Sequence, residues 1–201
     1  REFTADGAGS LLDLSSLTTI ERNGGSTSSD LNINASDGGE IRLTAISGFD
    51  DNVSGINGRI HLSAVGADST IDIANVTVLD NASITVQDGG DITAQLTSLT
   101  GRSQLLKHGV DDADGDSIDM IDLSQLADAN DATLIAEDGA TLALGATSID
   151  RTDLIARKGF LGSGGATLTT TVTSWSGTNG FNLDREFTAD GAGSLLDLSS
   201  L

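Results

Sequence analysis

The chain has 201 residues, enough for one sizeable domain, with no Pro, Cys or Tyr, one Met, one Trp and five Phe. Missing cysteines exclude disulfides, scarce aromatics exclude a single thick core, and no apolar run reaches the roughly 18 residues of a membrane-spanning helix. A net charge of −20, from 30 acidic and 10 basic residues, excludes a nucleic-acid or anionic-membrane surface; it suits a solvated exterior or one screened by divalent cations.

In chain order, the first predicted element is "FTADGAGSLLDL", with Phe3 and Ala5 before a turn and Leu12 and Leu14 after it. "ASDGGEIRL" at 35–43 repeats the plan with a shorter turn, after Leu31 and Ile33. "LSAVGADSTIDI" at 62–73 returns to the longer form. "VQDGGDITA" at 86–94, "AEDGATLAL" at 136–144 and "GSGGATLTT" at 162–170 complete the set. Each is apolar/polar alternation interrupted by Asp-Gly or Gly-Gly, which predicts strands with one buried face joined by corners of positive φ. Segments 21–30, 50–58, 100–117 and 150–163 lack the pattern and are expected to be outward-facing loops, carrying Arg22, Arg102, Lys107, Arg151, Arg157 and Lys158.

A second marker, two small polar residues and then an apolar one, closes each unit. It falls at Leu17, Leu99, Leu126, Ile149, Trp175 and Leu201, with Ile46 and Val76 in the equivalent places less cleanly. Seven intervals of 23 to 30 residues separate Leu17 from Leu201 and total 184. That number is also the offset at which residues 185–201 copy residues 1–17, "REFTADGAGSLLDLSSL", without a change. The sequence therefore predicts a tandem array: residues 1–184 form one block and 185–201 begin the next. No secretory leader is visible, and an internal window of a longer protein would not carry one.

Asp-Gly also serves antiparallel hairpins. Here the unit recurs in the same direction and order about every 26 residues, so each strand is expected to lie parallel on its copy in the following unit. The predicted fold class is all-β: a parallel β-helix, or β-solenoid, right-handed, with about seven coils per block. One inward column would hold Ile41, Ile92, Leu142 and Leu168, and the next Leu43, Ala94 and Leu144. The motif "GSLLDLSSLT", with its echo "DMIDLSQLAD" at 119–128, resembles the large β-solenoid surface and fibre proteins of bacteria, the broad group with haemagglutinin-like repeats and giant adhesin stalks. The resemblance implies an extracellular or cell-surface fibrous role.

Among candidates for chemistry, "DDADGDSIDMID" at 111–122 is the densest. Asp112, Asp114, Asp116 and Asp119 could wrap a hard cation such as calcium, which takes six to eight oxygens. The run fails as an EF-hand, because Ser117 and Leu123 stand where glycine and glutamate are needed. "GFDDNVSG" at 48–55 reads as a surface turn. His61 is placed outward between Ile60 and Leu62 and His108 in a loop; neither has a nucleophile and acid in a recognisable order, and without Cys a zinc site is excluded. The threonine run "ATLTTTVTSW" is broken as a column by Arg42, Thr93 and Ala143, and Trp175 is expected in the core.

These readings converge on a non-enzymatic structural module of an extracellular filament, stalk or sheath. Its partners would be neighbouring copies of the same repeat, end to end, without nucleic acid or membrane insertion. Two alternatives accompany it: an adhesin stalk whose loops 100–117 and 150–163 bind a partner or glycan, and a calcium-stabilised β-roll.

Overall fold

The computed structural model describes residues 1–20, 30–49, 59–109, 121–146, 148–159, 164–177 and 185–201. Strands form where the sequence alternates, because only a period of two buries one face and wets the other. The first passage contributes β1 (Glu2–Asp6) and β2 (Leu11–Asp13), and the second β3 (Leu31–Ser36) and β4 (Glu40–Arg42). Next come β5 (Ile60–Val65), β6 (Thr70–Asp72) and β7 (Val78–Asp80), then β8 (Ala82–Gln87), β9 (Asp91–Thr93) and β10 (Ser98–Thr100). They are followed by β11 (Gln104–His108) and β12 (Asp128–Asn130), then β13 (Thr133–Glu137), β14 (Thr141–Leu144) and β15 (Ser148–Asp150). The last are β16 (Asp153–Arg157), β17 (Thr167–Thr170) and β18 (Ser174–Ser176), then β19 (Phe187–Asp190) and β20 (Leu195–Asp197).

The described chain is all-β, without a helix, so none is long and apolar enough to cross a membrane. Every pairing between described strands is parallel. One sheet has eight strands in the order β1-β3-β5-β8-β11-β13-β16-β19. A second face is built by β2-β4-β6-β9 and by β14-β17-β20, and a third by β18-β15-β12-β10-β7. This arrangement is compatible with a β-solenoid. Within the eight-stranded sheet the register runs from Phe3 through Ile33, Leu62, Ile84, Leu105, Leu134 and Leu154 to Phe187. Its steps vary between 20 residues, Leu134 to Leu154, and 33, Leu154 to Phe187.

The inward residues form one continuous apolar cluster. Ile41, Ile71 and Ile92 stand in register, as do Leu142, Leu168 and Leu196. Leu43, Ala94 and Leu144 are buried as well. The single expected column is therefore divided: Ile41 and Ile92 share one sheet, Leu142 and Leu168 another, and among the described residues no pairing joins the two.

Three expectations need correction. Segments 100–117 and 150–163 are not simply loops: they contain β11 and β16, central strands of the eight-stranded sheet. Leu105-Leu106-Lys107 and Leu154-Ile155-Ala156 break the alternation that identifies a half-buried strand. Lys107 is not outward; it is 3% exposed and registers with Val86 and Ala136 in the inward column. Finally, the closing marker mixes two places. Leu17, Ile46, Val76, Leu126 and Leu201 end a corner, each donating its N–H to the carbonyl three residues earlier. Leu99, Ile149 and Trp175 lie instead on β10, β15 and β18 of the third face.

Candidate functional site

Three corners connect the three faces; the third, leading back into the eight-stranded sheet, carries Asn81, Arg102, Asp131 and Arg151 at φ between 47° and 67°. At the first, after the eight-stranded sheet, the residues in line are Gly7, Asp37, Gly66, Asp88, Gly109, Asp138, Lys158 and Gly191, each donating its N–H to the following passage where one is described. The Gly and Asp members have φ between 50° and 91°. In the long form, Ser10, Ser69 and Ser194 close the corner by donating Oγ–H to Asp6, Val65 and Asp190 carbonyls. In the short form, Asp37-Gly38, Asp88-Gly89 and Asp138-Gly139 are successive residues of positive φ. The glycines of the Asp-Gly pairs, Gly7, Gly38, Gly89 and Gly139, have φ of 89°, 83°, 82° and 90°, the positive values the corners were expected to need.

The duplicated segment provides the feature most informative about assembly. Residues 1–17 lie at one edge of the sheets and residues 185–201 at the other. Their geometry agrees: Gly7 and Gly9 have φ of 89° and 81°, Gly191 and Gly193 of 91° and 85°. Ser15 N–H donates to Asp13 at 3.0 Å and Ser199 N–H to Asp197 at 2.9 Å. Leu17 N–H meets the Leu14 carbonyl at 2.8 Å, and Leu201 N–H that of Leu198 at 2.9 Å. What differs is the edge in use. The first copy pairs along β3 and β4; the second pairs along β16 and β17.

Each edge has its own complement. On the first copy, Ser36 donates to Asp6 at 2.6 Å and Asn34 to Glu2 at 3.2 Å, while Arg42 registers with Asp13. On the second, Asp190 registers with Arg157, Glu186 N–H donates to Asp153 at 2.9 Å, and Arg185 reaches Asp131 at 3.0 Å. Leu12 and Leu196 pack on the core, whereas Leu11 and Leu195, 50% and 51% exposed, take outward positions in register with Glu40 and Thr167. Trp175 registers with buried Ile149, as expected of a core position, yet is 40% exposed because β18 ends its sheet. Its ring meets Phe187 edge-on at 5.9 Å.

Hydrogen bonds from the Ser15 side chain and backbone hold the Asp13 carboxyl below its ordinary range, and those of Ser199 do the same at Asp197. Glu40 beside Arg42, then Asp13 and Asp72, raise the Arg42 guanidinium. His108 is on β11 rather than in a loop: its Nε2 lies 2.9 Å from Asp138 and its Nδ1 3.6 Å from Asp88, bridging two corners. His61 faces outward, as the alternation requires, 3.9 Å from Asp30.

The candidate calcium ligands Asp112, Asp114, Asp116 and Asp119 lie outside the described residues, as does most of "GFDDNVSG". Among the described residues no group of three His, Asp or Glu side chains has metal-holding geometry. A cavity of about 360 Å³ borders Lys107, Asp122, Ser124 and Thr141, and one of about 510 Å³ borders Glu40, Asp68 and Asp91. Thr169 registers with Ala143 and Asp197, so the threonines of β17 do not continue as a column. Sequence reasoning missed the inward Lys107 and the Asp88–His108–Asp138 bridge, since both depend on which passages become neighbours. Comparison with protein-family models, with curated proteins and with solved structures yields no match.

Proposed function

We propose that the chain is a structural repeat module of an extracellular filament, stalk or sheath. In this reading it is a right-handed parallel β-helix, the hand almost always taken by parallel crossovers. Residues 1–184 are one block of seven coils, and residues 185–201 open the next. Blocks stack coaxially, each strand bonded to the coil on either side. The function is then mechanical and non-enzymatic: length, stiffness and an acidic exterior that separates fibres or lets divalent cations cross-link them.

The observation that supports this most is the shared conformation of the two identical segments, each paired along a different edge. A segment with a specific partner on both edges is what an interior coil requires. Seven strand spacings of ~4.8 Å give an axial block of roughly 34 Å. Micrographs of the native material test it: a thin fibre with that axial repeat is expected, and its absence would overturn the reading. Placement at the cell surface follows the resemblance to bacterial solenoid proteins. The cation that suits Asp112, Asp114, Asp116 and Asp119 is calcium, and calorimetry with and without chelator decides the matter. An unchanged melting temperature dismisses the calcium roll.

A further inference from the structure

Three tripeptides among the described residues read Asn-x-Ser/Thr: Asn34-Ala35-Ser36, Asn75-Val76-Thr77 and Asn81-Ala82-Ser83; a fourth, Asn52-Val53-Ser54, lies outside them. That pattern accepts an N-linked sugar where it stands on a surface turn of an exported chain. The fold separates the three. Asn34 is half-buried in the middle of β3, between Thr4 and Ser63 of the neighbouring strands, and its amide donates to Glu2 at 3.2 Å. The Ser36 hydroxyl of that tripeptide is committed to Asp6 at 2.6 Å. Asn81 is half-buried at a φ of 51°, and Ala82 and Ser83 already belong to β8, paired along β5 and β11.

Asn75 differs on every count. It is exposed at the second corner, between β6 and β7, and Thr77, two residues on, is exposed as well. The turn that carries them is fixed from beneath. Val76 is fully buried and donates its N–H to the Ile73 carbonyl at 2.8 Å, while Asp72 accepts the Ala74 N–H at 3.0 Å. The same place holds Ser16, Ala45, Gln125 and Ser200 in the other passages that make this closure, so the asparagine is particular to one of them. We propose that Asn75 is a glycosylation site, taking its sugar from a glycosyl diphosphate donor. Nδ2 attacks the anomeric carbon, the bond from that carbon to the diphosphate oxygen breaks with its electron pair leaving on the oxygen, and one amide proton passes to a base of the transferase. Nδ2 also donates to the Thr44 carbonyl of the passage before, and the substituted amide keeps one hydrogen for that bond. On the stacked-block reading the glycan recurs once per block, roughly every 34 Å along one corner, as a hydrated ridge on an acidic exterior.

Mass spectrometry of the native material tests it, after cleavage on the N-terminal side of aspartate. That digestion isolates the three tripeptides in fragments 30–36, 72–79 and 80–87. Carbohydrate mass is expected on 72–79 and not on the other two: a single hexose from a nucleotide-linked donor, a larger oligosaccharide from a lipid-linked one. Thr77→Ala is expected to abolish the added mass with Asn75 still in place, and Thr77→Ser to keep it. A bare 72–79 fragment overturns the proposal, as does equal carbohydrate on 30–36 or 80–87. The inference rests on the extracellular reading, and the two are scored apart. The fragment masses decide the glycan, whereas capture of the chain by a membrane-impermeant biotin reagent on intact cells decides the placement.

Discussion

The first corner and the second corner bend the same chain by different means. At the second, the carboxylate and closing bonds stay within one passage, although Asn75 Nδ2 also donates to the Thr44 carbonyl of the passage before and a Cβ on Gly145 would lie 2.0 Å from the Ser124 carbonyl oxygen. Asp13, Asp72, Asp122 and Asp197 each accept the N–H two residues on, and the same carbonyl-to-N–H closure follows. The first corner reaches between passages. Gly38 N–H donates 3.0 Å to the Ser69 hydroxyl of the next passage. An added Cβ on Gly39 or Gly90 would lie 2.2 or 2.4 Å from the carbonyl oxygen of Ala5 or Ala64 in the passage before. Long and short forms alternate over the first four passages, so a short corner fits against a long one. The second corner closes on its own passage, whereas the first closes partly on its neighbour through the Ser69 hydroxyl.

Between the corners run the strands that both depend on, and the largest effect is expected there. Ile92 is 1% exposed in register with Ile71, so Ile92→Asp strands a carboxylate among aliphatic columns and costs more than about 4 kcal/mol. Thermal melting should show loss of the neighbouring passages too, and a variant melting like the parent would refute the inward placement. Gly90→Ala isolates the passage-to-passage fit: the Ala64 carbonyl is backbone and cannot swing aside, so a loss of about 3 kcal/mol is expected. Gly9→Ala is the control. Its Cβ meets nothing within 4 Å, and the cost is that of a left-handed φ of 81°, about 1–2 kcal/mol. Equal losses in urea titrations would erase the distinction between interlocking and bending.

Ser69→Ala sharpens the same comparison on a smaller scale. Ser69 is fully buried, donating to the Val65 carbonyl at 2.8 Å and accepting from Gly38 N–H. Its loss leaves a buried donor and acceptor unmet, about 2 kcal/mol. Ser10→Ala removes the same bond within its passage, to the Asp6 carbonyl, without the bond between passages. A loss of under about 1 kcal/mol is expected. Denaturant midpoints of the pair measure what the neighbouring passage contributes.

Sequence reading recovered the parts of the fold whose physics is local. Alternation exposed β3, β5 and β8, Asp-Gly exposed the first corner, and the longer turns at Gly7 and Gly66 were separable from the shorter ones. The third face was not legible, because β7, β10 and β12 have three residues and one inward apolar group each, too few to show a period. β16 hid for the opposite reason: Ile155 is buried although it faces away from the apolar cluster, filling both sides of the strand. Lys107 is the reverse case, a long cation taking an inward place beside Val86. No local rule assigns lysine there. The stacking edges were legible only as a duplication; that each copy has a different complement required knowing that Arg42 lies above one and Arg157 below the other.

The smallest expected effect tests whether the second corner is as self-contained as its geometry suggests. Asp13 and Asp197 are identical in sequence context, and both carboxyls are held low by the serine two residues on. A folded-state pKa below the unfolded value of about 3.9 stabilises above that pH, and the stabilisation is lost as pH falls through the folded value. Asp13 is exposed and Asp197 partly so at the surface, so the effect on melting should be slight and confined to acid below about pH 4. NMR titration separates them. Asp13 has the Arg42 guanidinium in the adjoining passage as a further lowering influence, whereas Asp197 registers with Thr169. Arg42→Gln should therefore raise the Asp13 midpoint and leave Asp197 where it is. If Asp13 does not move, the corner ignores its neighbour entirely; if both move, charge is felt along the whole acidic face rather than between adjoining passages.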